Sequence, residues 1–279
     1  MKPRFSQGHL PSCQTLATIG ALLMNQHGQR MLHDMVSRQG DDYLVKFPAL
    51  NEPVLVRAVE FGTRAPVGWD VEFCNRAITA LRNEFDGDGY LWVMPLDRGP
   101  YVSGDDVVQV LEIAYARYQK AMFPERYADV PEQTPLEVYR NGNFHFQADE
   151  SMRDFTGWTV NTLYGGANAA DSVLSIADYA VENAEHLEAV EKKLEELAAN
   201  RGGYVATACS IGHPASKTYL DPGSKINPWH DHVIKEVNAK ERTIALIDPF
   251  NSRITMLLYF EDFFQYFYLI ADAKVPLSS

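Results

Sequence analysis

The sequence is poor in features that would assign it quickly. It has three cysteines in 279 residues, Cys13, Cys74 and Cys209. An odd number without framework spacing argues against a disulfide scaffold and for free thiols in a reducing compartment. No CxxC pair suggests a structural zinc. Basic residues form no long run, and the formal net charge is −12. A balance of that sign argues against nucleic acid or an anionic membrane as partner. No apolar run reaches the roughly 18 residues of a membrane-spanning helix. The aromatic-rich stretch 260–270 is broken by Glu261 and Asp262, and Met1-Lys-Pro-Arg-Phe5 is no signal region. These absences predict a chain of the cytoplasm or another reducing compartment, with no membrane span.

What is present is the composition of a folded globular protein, 46% hydrophobic and 22% charged. The length allows one large domain or two lobes. Apolar positions Leu16, Ile19, Leu22 and Leu23 predict a buried helix starting after Ser12, a good N-cap residue. A second helix is expected over 29–38, after a break at Gly28. Strands follow at 43–47 and 54–59, joined by Asn51-Glu52-Pro53. Further helices are expected over 71–85, 105–122, 149–155, 172–182 and 184–199. Glu188 and Lys192 in the last stand four apart, on a solvated face. A strand is expected over 90–94. Asp86-Gly-Asp-Gly89 before it fails as a calcium loop, because its twelfth position is Asp97 and its sixth is not Gly. Strands dominate the final hundred residues, at 204–210, 228–237, 243–247 and 254–259. Helices first and strands last is an α+β layout.

Chemistry is suggested where Gln7-Gly-His-Leu-Pro-Ser-Cys13 runs straight into the first helix. Free N–H groups and the positive end of the dipole at a helix start favour a thiolate, the nucleophilic form of cysteine. Such a cysteine needs a base. His232, entering the 228–237 strand, is the best placed of eight histidines. Antiparallel pairing would bring it near Asp248, which could orient its imidazole. An edge-strand histidine and a turn-forming aspartate are the structural alternative. His230 shares a strand face with His232, but two histidines without a third or fourth ligand in reach make a thin metal site. Gln7 could donate, with the Cys13 N–H, to a developing oxyanion.

The order Gln7, Cys13, His232, Asp248 resembles that of papain-like cysteine peptidases, and most resembles the calpain catalytic core. Gln7 to Leu22 is similar to the calpain nucleophile segment. Tyr43-Leu-Val-Lys-Phe47 with Glu52-Pro-Val-Leu-Val56 resembles its following hairpin. Tyr90-Leu-Trp-Val93 and Val110-Leu-Glu-Ile-Ala-Tyr-Ala-Arg117 resemble its strand and Ala-Tyr-Ala helix. Met152-Arg-Asp-Phe-Thr-Gly157 resembles its cleft segment. His232-Val-Ile-Lys-Glu-Val237 and Asp248-Pro-Phe250 resemble its base and Asn-Pro-Trp segments. The matches run in order over nearly the whole chain.

The resemblance implies Cys13 as nucleophile, His232 as base, Asp248 as orienter and Gln7 as oxyanion donor, with Gly157 and Trp158 in the substrate cleft. It implies one papain-like core over 1–279, with a helical lobe to about 166 and a β-rich lobe from about 167. Departures are specific. Gln14 stands where calpains have Trp, Asp248 where they have Asn, and Phe250 at the Trp that shields the orienter. Trp158 replaces a cleft Gly. Arg4 stands at a calcium-binding Asp, so calcium-independent assembly without a cofactor is expected. The expected function is a monomeric cysteine peptidase acting on protein or peptide, and a bacterial effector or toxin domain delivered into another cell is one setting for it. A deamidase, amidase or acyltransferase using the same triad, and a non-catalytic binding module of degenerate protease fold, are the alternatives.

Overall fold

The computed structural model describes residues 4–8, 12–58, 102, 104, 106–128, 148–164, 175–177, 184–210, 226 and 230–276. It is a mixed α+β protein with antiparallel sheets. The predicted elements at 71–85 and 90–94, the Asp86 loop and most of 172–182 lie outside the described residues, as does Cys74.

Helix α1, Cys13–Met24, is the central element. It packs on the next helix, on two later helices and on two strands of the large sheet. Its residues from Cys13 to Leu22 are all buried, as an apolar face backed by Ala, Thr and Gly requires. Helix α2 is Gln26–Met35, three residues earlier than predicted. The break falls at Asn25, whose side-chain oxygen accepts from the N–H groups of His27 and Gly28. Gly28 does not end a helix. A Cβ there would stand 2.4 Å from the Leu22 carbonyl oxygen, so the residue permits the tight α1–α2 turn. The chain then leaves the helix for β1, Val36–Gln39, which pairs with β2, Asp42–Val45, and through it with β3, Val54–Val56. Cross-strand pairing of Val36 with Val45 overrides the helical pattern expected over 36–38.

Helix α3, Asp106–Met122, covers this small sheet and touches α1. Helix α4, Ala148–Thr156, also packs on α1. Strand β4, Val160–Tyr164, follows. It lies before the lobe division expected near 166, yet it pairs with the last strand of the large sheet. Helix α5 is Ala184–Ala199 and β5 is Tyr204–Ser210, as predicted. Strands β6, Asp231–Asn238, β7, Thr243–Ile247, and β8, Thr255–Tyr259, form a meander. The aromatic stretch divides into α6, Phe260–Tyr266, and β9, Phe267–Lys274. The six strands are ordered β4-β9-β5-β6-β7-β8, all antiparallel.

Both faces of this sheet are covered. Val205, Val233, Ile247 and Ala273 join the core around Leu16 and Ile19 of α1. Ala206, Ala208, Ile244 and Leu246 join Val190 and Leu194 of α5 and Phe263 of α6. That is why β5 and β7 read as nearly continuous apolar runs. Helix α1 meets β6 at Gly20, where a Cβ would come within 2.7 Å of Val233 Cγ2. This close approach sets the N-terminus of α1 against the start of β6. No helix among the described residues is long and apolar enough to cross a membrane.

Candidate active site

Cys13 is the first residue of α1 and is buried. Ser12 precedes it but makes no side-chain cap. Its hydroxyl donates instead to Glu112 Oε1 of α3, at 2.5 Å, while its carbonyl accepts from Leu16 N–H. Glu112 also accepts from the Val102 N–H at 2.8 Å. Burial pushes this carboxyl up to about 7, against the lowering effect of its two hydrogen bonds. The turn that carries Cys13 is therefore anchored to α3 through a wholly buried carboxyl.

The histidine that meets Asp248 is His230, not His232. His230 Nε2 lies 2.7 Å from Asp248 Oδ1, which also accepts from the Phe250 N–H at 2.7 Å. The Phe250 ring stacks on the imidazole with centroids 4.4 Å apart and planes 6° apart. Burial opposes a charge on His230, but the Asp248 carboxylate outweighs it, and nearby Cys13 adds to the upward shift. Burial likewise opposes a charge on Asp248, which the His230 cation holds below the usual carboxylate range. With Nε2 on Asp248, the other ring nitrogen, Nδ1, has no hydrogen-bond partner, while the Cys13 thiol donates to Gln14 Oε1 at 3.4 Å.

His232 turns the other way. Its Nδ1 lies 3.1 Å from the His230 carbonyl oxygen, so the ring folds back on its own strand. It stands edge-on to the His230 ring at 5.0 Å and packs on Phe267. Burial, joined by the His230 charge, pushes its pKa down to about 3, so it is a neutral core histidine. The predicted pairing was sound for the backbone, since Val233 pairs with Ile247 and His232 thus precedes that rung as Asp248 follows it. However, Asp248 lies past the strand end and caps the turn Pro249–Asn251, which aims its carboxylate at the mouth of β6. The signal that favours His230 is its place at the entrance of the strand, the end at which α1 begins.

The N-terminal segment is laced to that same turn. Gln7 N–H donates to the Pro249 carbonyl, Ser252 N–H to the Phe5 carbonyl, and Phe5 N–H to Ser252 Oγ. Gln7 is thereby buried beside the residues that carry Asp248. Arg4 is exposed. Gly157 and Trp158 are not brought to the thiol. Trp158 lies 5.7 Å from the His27 ring on α2. That is the far end of α1, about 17 Å along a 12-residue helix from Cys13.

Sequence reasoning missed Asp231 and Cys209. Asp231 Oδ2 stands 4.0 Å from Cys13 Sγ. Cys209 is the cross-strand partner of Asp231, and its thiol interacts with Asp231 and Tyr268. Among the described residues, one group of His and Asp has donor atoms close enough to surround a cation: His230, His232 and Asp248, within 4.8 Å of one another. The 2.7 Å contact between His230 and Asp248 makes these two an acid–base hydrogen bond. No protein-family model and no curated protein matches the chain.

Proposed function

We propose that the protein is a thiol hydrolase of the papain-like, two-lobed type, a calpain-like cysteine peptidase in which His230 takes the place expected for His232. The observation that carries this reading is the buried His230 imidazole bonded to Asp248 at 2.7 Å, with Cys13 close enough to add to the upward shift of its pKa. In this reading Cys13 is the nucleophile, His230 the base and Asp248 its orienter, and His230 Nδ1, which has no hydrogen-bond partner, is the nitrogen that exchanges a proton with the thiol. Cys13 thiolate attacks the carbonyl carbon of a peptide bond. The C–N bond breaks as His230 gives its proton to the leaving amine. Water, deprotonated by His230, then hydrolyses the thioester and restores the thiol. Phe250 stacks on the His230 ring and holds its plane. The Cys13 backbone N–H and Gln7 are the proposed oxyanion donors.

The test is alkylation of the full-length protein with iodoacetamide near neutral pH, mapped by mass spectrometry. The expected result is preferential modification of Cys13, lost in His230→Ala. Equal modification of Cys13, Cys74 and Cys209 overturns the reading. Cleavage of a peptide library, abolished in Cys13→Ala, separates peptidase from other amide chemistry.

A further inference from the structure

The described mechanism leaves one buried acid at the thiol unused. Asp231 is only 6% exposed, and its Oδ2 is 4.0 Å from the Cys13 sulfur. Its Oδ1 has no hydrogen-bond partner. The backbone explains the placement. Asp231 follows His230 directly, so its side chain leaves the strand on the opposite side and lies under the start of α1 rather than beside Asp248.

We propose that Asp231 is a further catalytic group of this site, donating a hydrogen bond to the Cys13 thiolate while protonated and repelling it once ionised. The inference rests on Cys13 being the nucleophile. It makes the reactivity of the thiol depend on a third ionisation besides those of Cys13 and His230. The groups facing Asp231 are Cys13 from α1, His230 at the entrance of its own strand, Cys209 from β5, Tyr268 from β9 and Asp149 from α4. His230 is the one that carries a positive charge. Burial is the largest influence on the Asp231 carboxyl and pushes it up to about 7, with Asp149 adding to the rise; His230 and Cys209 oppose them. The neutral form is therefore available at the pH at which a thiolate–imidazolium pair works. A protonated carboxyl is a donor that an ionised one is not, and a charged neighbour of like sign disfavours a thiolate.

The experiment is the rate of Cys13 alkylation by iodoacetamide, residue-resolved by mass spectrometry, in the full chain between about pH 5.5 and pH 8.5. Asp231→Asn keeps a donor and cannot ionise. Its rate should match that of the natural protein at the acid end and exceed it about 3- to 10-fold at the alkaline end, the size of one hydrogen bond or one like-charge contact. Asp231→Ala supplies a second comparison should the amide disturb folding. The natural protein should then be faster at acid pH and slower at alkaline pH, so that the ratio of the two rates crosses one. Ratios that stay constant across the range for the folded variants overturn the proposal. Cys13 labelled preferentially but with constant ratios removes only the role of Asp231. No preference for Cys13 in the natural protein removes the thiol-hydrolase reading itself.

Discussion

Two carboxylates, the half-buried Asp154 and the buried Asp231, have opposite surroundings. Asp154, on α4, accepts from Tyr115 and Tyr118 hydroxyls at 2.9 and 3.1 Å and from Gln119 Nε2 at 2.7 Å, so both its oxygens are bonded. Asp231 has one oxygen near two thiols and the other without a partner. Burial raises both, Asp154 to about 6 and Asp231 to about 7. The protonation energetics are thus alike and the hydrogen bonding is not. A carboxylate with both oxygens bonded helps to rigidify its surroundings, whereas an unmet carboxyl oxygen beside a thiol is held there at a cost. A different contrast separates His230 and His232, each of which has one ring nitrogen bonded and the other without a partner. His230 bonds a carboxylate, Asp248, while His232 bonds a backbone carbonyl.

The strongest way to break this contrast is to exchange the histidines' fates. His230→Ala should lower kcat/KM on a peptide substrate by about 10³- to 10⁴-fold, the full contribution of a general base. His232→Asn, whose amide can still donate to the His230 carbonyl, should stay within about tenfold. Equal losses in the two variants would return the base to His232. Next in size, Asp248→Ala should reduce kcat/KM about 10²-fold and move the alkaline limb of its pH profile to lower pH. The sign follows from Asp248 raising His230: without the carboxylate, the imidazolium gives up its proton at a lower pH. An unmoved alkaline limb would mean that Asp248 does not orient the base.

Asp154→Ala should affect stability instead, by about 2–3 kcal/mol in chemical denaturation, because two tyrosine hydroxyls and an amide lose their acceptor. Its Cys13 alkylation rate should equal that of the natural protein, and a changed rate would join the two clusters into one. An effect no larger, and spread over a pH range, belongs to Glu112, a carboxyl of intermediate kind, bonded by Ser12 and Val102 yet raised from 4.5 to about 7 by burial. Its raised folded-state pKa means that its stabilising contribution is complete below about pH 4.5 and is lost as pH rises through 7, at most roughly 3 kcal/mol. Glu112→Gln should flatten that part of the stability profile measured by urea melts. An unchanged slope would show that other carboxyls produce it.

Much of the framework is legible in local pattern. Helix α1 starts at the expected cysteine, α3 and α5 fall where periodicity puts them, and β5 to β8 follow the alternation of apolar and turn residues. The misses share a cause. β1 occupies residues whose helical pattern was outvoted by pairing with β2, and β9 hides in an aromatic run that suits a buried helix and a buried strand equally. Ser12 carries the composition of a cap but serves Glu112, a hundred positions away in sequence.

At the site, the sequence by itself determined the cast: a cysteine opening a helix, histidines entering a strand, and an aspartate starting a turn before Pro249. These are features of a few consecutive residues, and helix capping, strand period and turn chemistry act over that range. Which histidine serves the thiol was decided only by tertiary structure. Residues two apart on a strand share a face, so no local rule distinguishes His230 from His232. The choice depends on Gly20 letting α1 dock on Val233, which sets Cys13 at the mouth of β6. It depends also on the turn that carries Asp248 back toward that mouth, laced there by Phe5 and Gln7. Asp231 entered the site for the same reason: His230 turns to Asp248, and the next residue, on the other side of the strand, lies 4.0 Å from the sulfur.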